Sequence, residues 1–343
     1  MVVHRLVRQL LPCLRAQCLP GQSMESVKDE VRVASAAARR GGAWAKWQNL
    51  PRPQRLRVGG CAGFLVLLTL LFIRPLTRLI LYAAGSNLDS YIVLIPFISA
   101  YLLYVQRGRQ PSTPYVTSIG GTVAVGGIGI VAVAAAIKWH DSLSINDGLS
   151  LMALAFVSFV AAGGFLFFGS KWMASRAFPI AFLIFMVPLP DAAVSWLEKA
   201  SVLASAEAAA LFFNLTGTPV ARQGTVFEVP GILFQVAQEC SGIRSSWVLF
   251  ITGLLASHLF LRTRWRRTVL VAFVIPLGIL RNGFRIAVVG LLCVHVGPHM
   301  IDSIIHRRGG PFFFALSLVP LLLLLWLLRH QEQQLAPAQL RDA

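Results

Sequence analysis

Charge is scarce in this chain. Of its 343 residues only 13% are charged, against 56% hydrophobic. A soluble globular chain carries about a quarter charged residues, so too few are present here to cover a water-facing surface. Acidic residues are scarcer still: 14 Asp and Glu stand against 31 Lys and Arg, a formal net charge of +17. In a soluble protein that excess would point to nucleic acid. Here the basic residues cluster between apolar runs, so they read as loops held on the cytoplasmic side of a membrane, and no nucleic-acid partner is expected. Cysteine is also sparse. Cys13, Cys18, Cys61, Cys240 and Cys293 are odd in number and scattered, which excludes a disulfide framework and any metal-type pair. No metal and no cofactor is expected. Cys61 and Cys293 lie inside apolar runs, as small packing residues do. Only Cys240 sits at the edge of a run beside polar residues. No signal-peptide core, internal repeat or low-complexity tract is evident.

What is abundant is apolar sequence in long runs. Mean hydropathy is +0.68. Runs fall at about 58–73, 88–105, 117–137, 148–168, 177–190, 240–261, 268–297 and 311–328, and a helical span needs about 20 residues. Every even-numbered run exits into basic residues: Arg107 and Arg109, Lys171 and Arg176, Arg262 to Arg267, and Arg329. This alternation predicts an all-α polytopic membrane protein of about eight transmembrane helices with both termini in the cytoplasm. Residues 1–57 form a basic cytoplasmic tail with affinity for lipid headgroups. Residues 58–328 form the membrane domain, and 329–343 a second cytoplasmic tail. Arg74 and Arg78 break the charge rule, which suggests an interfacial helix at 75–84.

The longest extracytoplasmic segment is 191–239. Asp191 to Leu215 reads as a helix, an Ala/Leu-rich pattern interrupted by Glu198, Lys199 and Glu207. Pro219 to Val229 then reads as a short hairpin around Gln223-Gly224. The membrane domain therefore carries a small helix-plus-hairpin insertion.

Helical rise gives a depth to each reactive residue. At about 1.5 Å per residue, Cys240 lies roughly 33 Å from Arg262, Arg285 roughly 27 Å from Arg267, and His306 roughly 35 Å from Arg329. The hydrocarbon layer is about 30 Å thick. Three spans thus deliver a thiol, a guanidinium and an imidazole to one outer level. A nearby cation favours the thiolate, the nucleophilic form of cysteine. A guanidinium can hold an oxyanion, and an imidazole can pass protons. Together they suffice for acyl transfer through a thioester. Depth alone leaves Arg281 beside Arg285, and His295 and His299 beside His306, as alternatives. Arg244 stands one helical turn from Cys240.

The motifs resemble those of the exosortase/archaeosortase membrane transpeptidases. Glu239-Cys240-Ser241-Gly242-Ile243-Arg244-Ser245 is similar to that family's cysteine motif. Asn282-Gly283-Phe284-Arg285 is similar to its N-x-x-R, and His306-Arg307-Arg308-Gly309-Gly310 to its H-x-x-x-G. The resemblance runs from about Asp89 to Leu328. It implies Cys240 as nucleophile, Arg285 as thiolate and oxyanion stabiliser and His306 as general acid/base, with Ser241, Gly242, Arg244 and Asn282 in support. It implies cleavage of C-terminal sorting tails of secreted proteins, of the PEP-CTERM kind, and their transfer to a surface glycan or lipid, in a bacterial inner membrane. Two positions depart from the pattern: Ser90-Tyr91 stands where members often carry Ser-His, and Glu239 where alanine often precedes the cysteine. A second reading is a transporter or export component in which Arg244, Arg281 and Arg285 bind an anionic surface polysaccharide.

Overall fold

The computed structural model describes residues 52–86, 89–106, 116–230, 232–236, 241–297, 299–300 and 309–339. The chain divides into two compact units, Met1–Val66 and Leu67–Ala343. In the first, the described residues belong to helix α1, Arg52–Leu71. Arg52, Arg55 and Arg57, expected in the basic tail, are therefore helical.

The second unit is built from helices with one small sheet. After α1 come α2 (Ile73–Gly85), a 3-10 turn at Ser90–Leu94 leading into α3 (Ile95–Val105), α4 (Ile119–Lys138) and α5 (Ile145–Phe167). Short helices α6 (Gly169–Ser175) and α7 (Ala177–Ala181) follow, the latter extended by a 3-10 turn to Met186. Then come α8 (Asp191–Leu215), strands β1 (Ala221–Gln223), β2 (Val226–Val229) and β3 (Ile232–Gln235), and helices α9 (Ile243–Phe260), α10 (Arg264–His295) and α11 (Gly310–Gln339).

Six of these helices, α1, α4, α5, α9, α10 and α11, are long and apolar enough to cross a bilayer. A seventh candidate is the pair Ala177–Met186 and Asp191–Leu215, bent by 91° at the break between them. The expected second span takes the form of the shorter apolar helix Ser90–Val105. The protein is thus a polytopic helical membrane protein with six or seven helices of spanning length, and the number eight is not established. A 3-10 turn at Ser90–Leu94 shortens the second run, and prolines interrupt the fifth. Pro188-Leu189-Pro190 ends the fifth run, since a residue before proline is driven out of the helical region.

The apolar surface is inverted relative to a soluble protein. Val123, Ile130, Val131, Val319, Leu322 and Leu323 point outward, as lipid-facing side chains do. Inside, α2, α3, α5, α7 and α9 share one core around Leu79, Ile92, Ile95, Val157, Phe182 and Ile251. A second core joins α9, α10 and α11 through Leu249, Leu270, Val274, Leu321 and Leu325. Helix α2 is separate from α1, with Leu79 and Ala83 buried and Arg74 and Arg78 on its exposed side. That amphipathic arrangement matches the helix expected at 75–84.

The insertion forms as the sequence suggests, with one addition. Helix α8 spans Asp191–Leu215. The hairpin pairs Gln223 with Val226 around Gly224, whose φ is 62°. A third antiparallel strand, Ile232–Gln235, pairs with β2 beyond the expected hairpin. Helix and sheet pack together on the end of α10 remote from its N-terminal arginines, through Phe213, Phe227, Val229, Ile286 and Ala287. The fit of α8 on α10 depends on small residues: a Cβ at Gly283 would lie 2.5 Å from the Cβ of Ala208. Close helix contact through small side chains is the usual packing mode where lipid removes the hydrophobic drive.

The bend before α8 is tied to the start of α5. Asn146 donates to the Leu189 carbonyl and to Asp191, both at 2.7 Å. The Asp191 amide donates to Asp147 at 2.9 Å, and the Ser150 hydroxyl to the Pro188 carbonyl at 2.9 Å. These bonds satisfy carbonyls that the prolines leave without helical partners.

Candidate active site

Of the expected catalytic trio, Arg285 is described, half-buried on α10. Cys240 and His306 lie outside the described residues. Gly242, two residues after Cys240, and Phe313, in the first turn of α11, both meet α10 around one turn.

The cysteine segment approaches from Ser241. That residue is 3% exposed, and its carbonyl accepts a hydrogen bond of 2.8 Å from the Ser201 hydroxyl of α8. Gly242 follows in the left-handed conformation, φ 66° and ψ 9°, as the residue preceding α9. Its place permits no side chain. A Cβ there would lie 2.7 Å from Asn282 Oδ1 and 3.2 Å from Arg281 Nη2. Backbone geometry and close approach therefore both demand glycine. The segment two residues beyond Cys240 rests directly on the first residue of the N-x-x-R motif.

Asn282 is 2% exposed and donates through Nδ2 to Ser205 of α8 at 3.0 Å. It thus locks α8, α10 and the Gly242 turn into one unit. Arg281, the alternative to Arg285 on depth alone, has a different task. Its Nη2 donates to the Gly242 carbonyl and to the Ser246 hydroxyl, both at 3.0 Å. Its Nη1 is buried without a partner among the described residues. Arg281 braces the cysteine segment. Arg285, one turn further along, lies on the same side of α10, since residues four apart share a helix face. Arg244 is exposed in the first turn of α9.

The start of α11 packs beside the same turn. Gly309 caps the start of α11 through its carbonyl, which accepts from Phe313. The Phe313 ring then packs edge-on against Phe284, with centroids 6.1 Å apart. Phe284 directly precedes Arg285, and Gly309 stands three residues after His306.

Tyr91, one of the two departures from the resemblance, is also placed here. Its hydroxyl accepts from the Trp247 indole at 2.8 Å, joining the start of α3 to α9 in the turns that follow Ser241. Nearby, Asp89 is 5% exposed. Burial pushes its carboxyl above the usual carboxylate range, and Asp191 adds to that while a hydrogen bond from Ser86 opposes it. Neither the Arg281 brace nor the Tyr91–Trp247 bond is readable from the motifs. The only signal for the first is a second arginine on α10, four residues from Arg285. The departure at Tyr91 is visible in the sequence, but its partner is not.

A multi-pass helical membrane protein in which the Ser241-Gly242 turn rests on the start of an Asn-x-x-Arg turn defines the class. The profile of the transmembrane exosortase family matches residues 83–323. The chain belongs to that family. No curated protein and no solved structure matches it.

Proposed function

We propose that this protein is a membrane-embedded cysteine transpeptidase that cleaves C-terminal sorting tails of secreted proteins and transfers them to a cell-surface acceptor. The observation that carries the reading is the seating of Gly242 on Asn282 and Arg281. It supports an assignment in which Cys240 and Arg285 act at one point.

In this reading the membrane is the bacterial inner membrane and the site faces outward. A tail of the PEP-CTERM kind, a short motif followed by an apolar span and a basic end, docks along the helices. The Cys240 thiolate attacks the scissile carbonyl, and Arg285 stabilises the oxyanion. His306 protonates the departing amine as the C–N bond breaks, leaving an acyl thioester and a released tail. A glycan or lipid nucleophile, deprotonated by His306, then displaces the Cys240 sulfur. Where water is the acceptor, it hydrolyses the thioester and releases the trimmed protein with a free carboxylate. A carboxylate at Glu239 disfavours the thiolate, and Arg244 or Arg285 offsets it.

The test is a cell that expresses a secreted reporter ending in such a tail. Cys240→Ala is expected to leave the protein inserted and the reporter uncleaved. Arg285→Lys is expected to process poorly, because a point charge does not replace a planar fork. Normal processing with Cys240→Ala overturns the reading.

A further inference from the structure

At the arginine-rich end of α9, α10 and α11, away from the candidate active site, lies a cavity of about 540 Å³. Arg262, Arg267 and Arg329 line it, together with His258, Gln106 and Glu332. Three guanidinium groups against one carboxylate leave a net charge of +2 with the histidine neutral. That carboxylate is already engaged, accepting from the Arg262 amide at 3.0 Å and the Thr263 amide at 2.7 Å. None of the three arginines forms an ion pair with a carboxylate among the described residues.

The lining is also held in place. Arg267 is fixed by its Nε, which donates to the Leu261 carbonyl at 2.8 Å. Arg329 lies over the Phe260 ring, 5.5 Å from its centroid. His258 stacks on Phe178 with centroids 3.7 Å apart and faces the Gln106 amide at 3.2 Å. The site is concave, ordered and lined by more positive than negative charge. Guanidinium forks match phosphate oxygens in pairs. The charge pattern puts this end of the helices at the cytoplasmic headgroup level, where phosphodiester anions are concentrated.

We propose that this cavity binds a phosphate-bearing anion, with Arg262, Arg267 and Arg329 as its ligands. An anionic lipid headgroup and a free phosphate ester share that chemistry, and the probes below separate them.

The full chain is purified in a neutral detergent and titrated with phosphatidylglycerol, phosphatidylcholine or glycerol 3-phosphate, following affinity and the thermal midpoint. The expected result is that phosphatidylglycerol binds and raises the midpoint while phosphatidylcholine does not. Arg262→Gln with Arg329→Gln should weaken that binding by about tenfold or more, the loss of at least one charge-assisted hydrogen bond. Arg264→Gln with Lys171→Gln removes two charges from exposed positions outside the cavity and should change affinity by less than about twofold. Arg262→Lys with Arg329→Lys keeps both charges and serves where the glutamine variant is not recovered; it should bind several-fold more weakly, having lost the forks. A midpoint shift by glycerol 3-phosphate that matches the lipid's identifies a soluble phosphate as ligand; silence there beside phosphatidylglycerol binding identifies the lipid. The proposal is overturned if all probes are silent, if neither paired arginine variant weakens binding, or if the outside variant weakens it as much.

Discussion

Replacing Gly242 by alanine probes the candidate site through backbone and packing at once. At φ 66° the residue is left-handed, a conformation that costs a non-glycine residue about 1–2 kcal/mol. The new methyl would also stand 2.7 Å from Asn282 Oδ1 and 2.9 Å from its Cγ. Asn282 is 2% exposed and bonded to Ser205 at 3.0 Å, so it can yield only by stretching that bond, which adds about 1 kcal/mol. The sum is about 2–3 kcal/mol. Gly217 supplies the internal control. Its φ is 69°, but nothing lies within 4 Å of the Cβ an alanine would add. Gly217→Ala should therefore lose only the backbone strain, about 1–2 kcal/mol. Function should separate the two further. A shift of about 1 Å at a reacting centre can cost about a hundredfold in rate, and Gly242 stands two residues from Cys240. Thermal unfolding in detergent and cleavage of a tail-bearing reporter measure both quantities. Equal loss of stability, with normal cleavage in both variants, would refute the claim that the cysteine turn is positioned by its contact with Asn282.

Arg281→Met removes a buried cation whose Nη1 has no partner among the described residues. Exchange of a buried charge for an apolar side chain is often neutral or stabilising, so the thermal midpoint should hold or rise. Cleavage should fall by about tenfold, because the Gly242 carbonyl loses its charged donor; unchanged cleavage would leave Arg281 a packing residue only. Asp89 gives a pH prediction. Its folded pKa is raised, so its contribution to stability is fully present below the unfolded value near about 3.9 and is lost as pH rises through the folded value. Asp89→Asn should therefore melt at or above the parent at pH 7, with the difference shrinking towards pH 4. A variant that is less stable at neutral pH than at pH 4, relative to the parent, would reverse the sign.

Local chemistry makes some elements legible in the sequence itself. The Asp191–Leu215 helix follows from an Ala/Leu-rich run without Gly or Pro, bounded by Pro190 and Gly217. The hairpin follows from Gln223-Gly224 between alternating residues. Strand Ile232–Gln235 is hidden because its apolar residues merge into the run leading to Cys240. Pro230-Gly231, directly before it, is a turn signal that marks its start. The second apolar run is near spanning length, but a 3-10 turn opens it; the fifth is short, and prolines end it. At the site, motif spacing marks Arg285 and Asn282. The Arg281–Gly242 bond crosses 39 positions of sequence. No local pattern encodes a contact of that kind; it exists only once α9 and α10 pack.

Helix α10 continues for 32 residues from Arg264 to His295, with Pro276 inside it, about 48 Å along its axis. Arg264, Arg266 and Arg267 are at one end and Asn282 and Arg285 lie well towards the other. The height between Arg267 and Arg285 is a constant of the fold, roughly 27 Å, whereas the height of the bilayer is a property of the lipid. If the basic end is anchored among headgroups, a bilayer thinned by a few ångströms lifts Arg285 into water, and a thickened one draws it into hydrocarbon. The helix is thus a ruler laid across the membrane, and the lipid composition of the host decides where on its scale the candidate site stands.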